Sequence, residues 1–319
     1  MEKTTVIIGA GISGLLVARE LVARGRKVMV FDKSRGVGGR MSTKRVGDAV
    51  FDQGAQFFTT RDEQFEAMVM SWSRCGVVER WAGGDDDRWV ARPSMTGLAK
   101  ALAADVPVKL SQKVQAIQFH ECGCWEIEME GDGLYCAERI VLSCPVPQAL
   151  AILDAGHAKL PPDVRAGLER CDYYPCLALM VVLDRESLLP AEGMVFADGP
   201  IRWAADNVKK GIAQGANAAI TLHLNREVSA EFYGASEDEI WQLVRDAVVP
   251  LLGEAKVCSK TLHRWRFSEP KTLYGKRCEW VPEMNLGFCG DVFGGPRVEG
   301  AAISGMALAR QIVSSFESK

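Results

Sequence analysis

Residues Gly9-Ala10-Gly11-Ile12-Ser13-Gly14 are spaced as G-x-G-x-x-G. Glycines at Gly9, Gly11 and Gly14 permit a tight turn, close approach of backbone to a pyrophosphate, and close packing of a helix on a strand. Asp32 stands 18 residues after Gly14. A carboxylate there accepts hydrogen bonds from ribose hydroxyls and repels a 2′-phosphate, which points to an unphosphorylated adenosine, as in FAD or NAD. A second cluster, Ser34-Arg35-Gly36-Val37-Gly38-Gly39-Arg40-Met41, follows at once. Its amides and a guanidinium can reach the same pyrophosphate, an addition that an ordinary NAD dehydrogenase does not need. Near the other end of the chain, Asp291 offers a carboxylate for a sugar-chain hydroxyl. Val298-Glu299-Gly300 is read as preceding a long helix, whose N-terminus carries about half a positive charge and would suit the pyrimidine edge of a flavin.

These groups need particular elements to hold them. Thr5–Ile8 reads as a short apolar strand, and residues 13–24 carry Leu15, Leu16, Ala18, Leu21 and Val22 at helical spacing. Gly25 stops that helix, and Lys27–Phe31 is a second strand of the kind buried in a parallel sheet. A glycine- and arginine-rich loop is expected over 33–45, an amphipathic helix over 61–75, and hairpin turns at 83–87 and 131–133. Helix is expected over 95–104. Strands are expected at 106–110, 114–119, 125–129 and 139–142. From Tyr173 the strands 177–183, 201–205, 218–224 and 261–267 suggest a mixed sheet with a helix at 237–251 packed on it. A strand at 286–289 and a helix at 301–316 return to the first unit. The fold class is therefore α/β. A Rossmann-like dinucleotide domain would be built from 1–56, 93–165 and 270–319, with an α+β substrate domain from 57–92 and 166–269.

Composition narrows the function. With 48% apolar and 25% charged residues, 319 residues can bury a large core in about two domains. A net charge of -3 gives no electrostatic case for nucleic acid. No apolar run approaches the ~20 residues needed to cross a bilayer. A strand begins almost at once, so no cleavable leader is expected. Ten cysteines without a C-x-x-C pair read as free thiols of a cytoplasmic protein, and Cys122 and Cys124 are too isolated for a metal site. Oligomeric state is open.

Taken together, these motifs resemble the flavin amine-oxidase superfamily, and within it the renalase-like proteins of bacteria. The resemblance covers nearly the whole chain. It is carried by G-A-G-I-S-G at 9–14, Asp32, G-G-R-M at 38–41, F-D-Q-G-A-Q-F at 51–57, P-V-P at 145–147, I-R-W-A-A-D-N-V-K-K at 201–210, R-W-R at 264–266 and C-G-D-V-F at 289–293. It implies noncovalent FAD. Ile12 and Ser13 would lie at the pyrophosphate, Asp32 at the ribose and Arg40 near the phosphates. Lys33 and Gly39 would be among the cofactor contacts. Gln56 and Phe57 would lie by the flavin ring, Val114 would hold the adenine end through its backbone, and Asp291 and Val298 would reach the ribityl chain and pyrimidine edge. It further implies oxidation of the 2- and 6-dihydro isomers of NAD(P), with hydride passing to flavin N5 and dioxygen then giving hydrogen peroxide.

Two departures set this chain apart from the monoamine oxidases. No cysteine lies at 298–300 to tether a flavin, and no lysine near flavin N5 can be assigned. An amine oxidase of the same fold and a flavin-loaded binding protein without turnover are the competing readings. Candidate walls of the substrate cleft are Trp203, His223, Trp265 and Asn207. The two tryptophans either flank a planar ring or fill sheet core. His223 either donates to a substrate carboxamide or is a structural, hydrogen-bonded histidine. Asn207 and Lys209 either reach a polar tail or sit in a solvated turn.

Overall fold

A computed structural model describes residues 4–81, 88–131, 133–213 and 217–317. A six-stranded sheet runs in the order Glu279–Val281, Leu286–Phe288, Arg139–Leu142, Thr4–Ile8, Lys27–Phe31, Val108–Lys109. Its neighbours are parallel except for the first pair, which is antiparallel, so this is the mixed sheet of the molecule. Alternation along the first strand decides its layers. Ile7 packs with the helices Ile12–Ala23, Met95–Ala103 and Arg297–Glu317. Val6 and Ile8 pack with the opposite layer, made of the three-stranded sheet Val114–Phe119, Trp125–Met129, Leu134–Ala137 and the helices Val146–Ala155 and Pro162–Glu169. Both faces are covered, which is why its central strands are apolar without a break.

The second sheet differs from expectation. Its order is Met194–Val195, Ile201–Asp206, Ala218–Leu224, Tyr173–Leu183, Val257–Pro270, and every pairing is antiparallel, not mixed. One face (Leu177, Leu179, Val181, Ile220, Leu222) buries the apolar stripe Ile240, Val244 and Val248 of helix Glu237–Leu252, whose start is fixed by a Ser236–Glu239 capping box. The other face meets the flavin-motif half of the chain. Met180 and Ala219 touch Val50 and Phe51, while Trp203 and Ala205 touch Trp81 and Val90.

Three local readings change. The loop expected to run to Arg45 ends earlier, because Thr43–Val46 pairs with Ala49–Asp52 as a hairpin turned by Gly47. The C-terminal helix starts at Arg297, so Val298, Glu299 and Gly300 form its first turn rather than precede it. The segment 57–92 contacts both layers: Phe65 and Val69 of helix Glu63–Arg74 share a core with Leu15 and Ile312, while Trp81 and Val90 pack on the second sheet. Strands Val78–Arg80 and Trp89–Ala91 pair as the expected hairpin. Its turn at 83–87 lies outside the described residues, as does Asp132 of the other turn.

Candidate functional site

The first glycine loop is packed on one side and open on the other. A Cβ on Gly14 would lie 2.4 Å from the Gly9 carbonyl oxygen and 2.5 Å from Ser143 Oγ, so helix and strand approach as closely as the motif allows. Gly9 has φ +111°, and its Cβ would strike the same Ser143 Oγ at 2.6 Å. A Cβ on Gly11 would meet nothing within 4 Å. Helix Ile12–Ala23 starts at Gly11 with no side-chain cap and no acid in its first turn. The first amides of a helix have no partner within it, so Ile12, Ser13 and Gly14 present an uncapped anion seat beside open space. This cradle fits the pyrophosphate of a dinucleotide.

Asp32 fixes the loop. It is 9% exposed; one carboxylate oxygen accepts from Ala10 N and the other from Ser34 N, each at 2.7 Å. Each oxygen keeps lone-pair capacity for a ribose hydroxyl. The second glycine cluster folds onto the first: Gly38 N donates to Ala10 O at 2.8 Å, and a Cβ on Gly39 would sit 3.7 Å from Gly11 Cα. Lys33 is exposed next to Asp32. Gln112 N donates to Asp32 O at 2.9 Å, which brings the chain leading into Val114 to the end of the second strand.

Arg40 and Asp291 were expected to serve different parts of a cofactor, but they hold each other. The pair is bidentate, at 2.6 and 2.7 Å. Arg40 also donates to the carbonyls of Phe267 and Ser268, at 3.3 and 3.2 Å. One guanidinium thus joins the glycine loop, the last strand of the second sheet and the start of the short helix Asp291–Gly294. Val298 is buried in the first turn of the next helix.

The stretch Asp52–Phe57 is where the second sheet meets this loop. Asp52 and Lys210 are both fully buried, with Lys210 Nζ 2.6 Å from Asp52 Oδ2. The other Asp52 oxygen accepts from Met95 N at 3.0 Å and Thr43 Oγ1 at 2.8 Å. Lys210 also donates to Gln56 O. Asn207 is not a cleft residue and not in a solvated turn. It is fully buried; its Oδ1 accepts from Asp52 N at 3.1 Å, and its Nδ2 donates to Ala219 O and Thr221 Oγ1. Lys209 donates to Ser187 O and Leu189 O.

His223 and Trp265 converge on one atom: His223 Nε2 lies 3.2 Å and Trp265 Nε1 3.0 Å from Gln53 O. Burial pushes the His223 pKa down to about 4. The ring is therefore neutral near pH 7, with its proton on Nε2 facing the carbonyl. Trp265 meets His263 edge-on at 4.2 Å. Trp203 is 8% exposed and belongs to an aromatic cluster, 5.4 Å from Phe57 and 6.0 Å from Trp81, with the Arg88 guanidinium 4.8 Å from the Phe57 ring. Gln56 Nε2 donates to Asp52 O. The Oε1 atoms of Gln53 and Gln56 and the indole N–H of Trp203 are buried without a protein partner among the described residues.

The buried Asp52–Lys210 pair is the feature of this strip that sequence reasoning missed. Both residues lie inside quoted motifs, yet nothing local marks a lysine at the end of a turn as buried. The one available signal was that an aspartate follows the apolar run Ala49-Val50-Phe51, which places it at an interior strand end.

Residues 7–72 match the NAD(P)-binding Rossmann-like domain. Residues 78–313 match the flavin containing amine oxidoreductase family. The second match spans well over half the chain, and the protein belongs to that family. Its cofactor is FAD. The putrescine oxidase of Kocuria rosea is 39% identical over 69 residues, which is 22% of this chain and 14% of that protein. The matched stretches thus cover a small fraction of the curated relatives. Among solved structures, a protein from Exiguobacterium sp. 255-15 superimposes with a TM-score of 0.74 at 13% identity, covering 99% of each chain. A triple mutant of putrescine oxidase made for cofactor-binding redesign gives 0.70 at 14% identity, covering 98% of this chain and 99% of that one. At such identities the likeness is one of fold. No helix among the described residues is long and apolar enough to cross a membrane.

Proposed function

We propose that this chain is a renalase-like oxidase of misreduced nicotinamides, the 2- and 6-dihydro isomers of NAD(P), acting with noncovalently bound FAD in the cytoplasm. The FAD-binding part would comprise 1–56, 93–165 and 270–319, and the substrate part 57–92 and 166–269. Bound FAD would supply a two-electron acceptor for the hydride of the dihydronicotinamide, with dioxygen as the final oxidant and NAD(P)+ and hydrogen peroxide as the products.

One observation carries this reading. The titratable groups that the second sheet brings to the Asp52–Phe57 strip are already engaged: Lys210 holds Asp52 and Gln56 O, and His223 faces Gln53 O as a neutral donor. A substrate that needs proton abstraction would find no poised base in them. A dihydronicotinamide is already a hydride donor, so the chain has only to position it and exclude water. The remaining polar atoms suit that task. Buried, unpartnered amide oxygens of Gln53 and Gln56 accept, and the Trp203 indole donates, which is the complement of a carboxamide or of a flavin pyrimidine. Asp32, Ile12 and Ser13 would bind the adenosine and pyrophosphate of FAD. A second dinucleotide fingerprint for the substrate is absent from the sequence, so the substrate would bind through its ring end.

The test is anaerobic mixing of the FAD-loaded protein with each dihydro isomer and, separately, with putrescine and simple monoamines. Bleaching of the visible flavin band by the isomers at about 1–10³ per second is expected, with none by the amines. Bleaching by amines alone would replace this reading with an amine oxidase. Inertness toward every donor would leave a binding protein.

A further inference from the structure

The strand Val114–Phe119 has Val114 at the end beside Gln112, whose backbone N–H donates to Asp32 O. Its other end lies about 16 Å away at a strand rise of about 3.3 Å per residue. There the chain turns through His120-Glu121-Cys122-Gly123-Cys124 into Trp125–Met129. Two backbone hydrogen bonds close this turn, His120 N to Cys124 O and Gly123 N to His120 O, both 2.9 Å. Its base is fastened by the Phe119 and Trp125 rings, 4.9 Å apart. Gly123 has φ +79° with open space around its Cβ position, a conformation that glycine adopts freely. The turn holds the two sulfurs 2.7 Å apart, with Cys122 exposed and Cys124 half-buried.

We propose that Cys122 and Cys124 form a reversible thiol–disulfide site that hydrogen peroxide oxidises. Bringing two thiols together in a flexible chain costs loop-closure entropy, and here the folded turn has already met that cost. The roles of the two sulfurs follow from their contact. The two sulfurs are in mutual hydrogen-bond contact, which lowers the Cys122 pKa and raises that of Cys124. Cys136, exposed on the neighbouring strand Leu134–Ala137, adds to the rise at Cys124. At the base of the turn His120 Nε2 faces Glu126 Oε2 at 3.8 Å. Burial, in contrast, raises the Cys144 and Cys176 thiols to about 12 and keeps them inert.

The Cys122 thiolate attacks one peroxide oxygen, the O–O bond breaks, and a sulfenic acid and hydroxide form. The Cys124 sulfur then attacks the Cys122 sulfur, and the sulfenic oxygen leaves as hydroxide that takes the Cys124 thiol proton to become water, while the hydroxide of the first step takes up the proton that Cys122 released on ionising. The sum is two thiols and one peroxide giving one disulfide and two waters. Peroxide from any source serves, so the proposal stands apart from the flavin reading.

The full-length, FAD-loaded protein is treated with hydrogen peroxide and quenched with an alkylating reagent, and its cysteine peptides are weighed. Loss of the Cys122 and Cys124 thiols as an internal disulfide is expected about tenfold faster than loss of the exposed Cys75 or Cys258 thiols, with recovery on adding dithiothreitol. In Cys124→Ser, oxidation of Cys122 is expected to stop at a sulfenic acid that dimedone traps. Cys122 still alkylatable after Cys75 or Cys258 has been consumed would overturn the proposal, as would a disulfide joining Cys124 to Cys136.

Discussion

The glycine loop at 9–14 and the joint at Asp52 both place polar groups inside the protein, and they treat those groups in opposite ways. At the loop, neighbouring segments satisfy only part of the polarity. Asp32 ties down Ala10 and Ser34, but the first amides of the following helix are uncapped and Gly11 faces open space. At the joint, Thr43, Asp52, Met95, Asn207, Thr221 and Lys210 form a network in which both charges are paired and Asn207 uses both ends of its amide. The first arrangement leaves hydrogen-bonding capacity unused; the second holds two layers of the protein together. Polarity alone does not distinguish them. What distinguishes them is whether hydrogen-bonding capacity is left over.

That contrast breaks most sharply at Lys210. Removing one member of a buried pair leaves an uncompensated charge, so Lys210→Met is expected to lower stability by about 3–5 kcal/mol. The double variant Asp52→Asn/Lys210→Met should recover a large part of that loss. Denaturant unfolding of the three proteins measures it, and a single-variant loss below about 1 kcal/mol would make the joint a surface-like ion pair.

The next effect is a pH dependence. The folded protein keeps His223 neutral down to about pH 4, whereas the unfolded chain binds that proton near 6.5. Between those values the unfolded state holds more protons, so the His223 contribution is complete above 6.5 and is lost as pH falls toward 4. The loss is about 3 kcal/mol by pH 4. Subtracting the stability curve of His223→Gln from that of the unmodified protein removes the carboxylates common to both. A flat difference across that window would show that the imidazole titrates normally.

The smallest effect on stability is expected at the loop itself. Gly11→Ala adds a methyl to open space, where φ is -76°, and should change stability by about 0.5 kcal/mol or less. FAD affinity should nevertheless fall about tenfold or more, because the methyl intrudes where the backbone must approach pyrophosphate. Gly14→Ala is the control that sharpens the point. Its methyl collides with the Gly9 carbonyl and should destabilise the fold before cofactor binding is tested. Equilibrium dialysis of FAD together with thermal unfolding separates the two, and equal losses of stability would erase the distinction.

The nucleotide half was legible because its information is local. The strand Lys27–Phe31 was read with its observed ends, and the first helix differs by one residue at each end. Strand, turn, helix and acid follow one another within 32 residues, and each has its own periodicity or glycine signal. The second half was legible as strands and a helix, but not as a site. Trp203, His223 and Trp265 are candidate cleft walls in the sequence, and the structure gives each of them neighbours that spacing does not reveal. Trp203 proved to be part of an aromatic cluster, while His223 and Trp265 share the Gln53 carbonyl. Asn207 follows Trp203 in a turn and reads as reaching a polar tail or sitting in solvent, but its amide is fully used by Asp52, Ala219 and Thr221. The two sides of the Arg40–Asp291 pair lie at opposite ends of the chain, and no spacing rule connects them.

The sequence by itself determined the dinucleotide loop, the acid beside it and the alternation of strands and helices, because each depends on residues within one or two turns of each other. Tertiary structure decided which polar side chains keep unused hydrogen-bonding capacity and which face each other. That choice turns on desolvation and hydrogen-bond satisfaction, and both are set by neighbours that the chain brings together from more than 150 positions away.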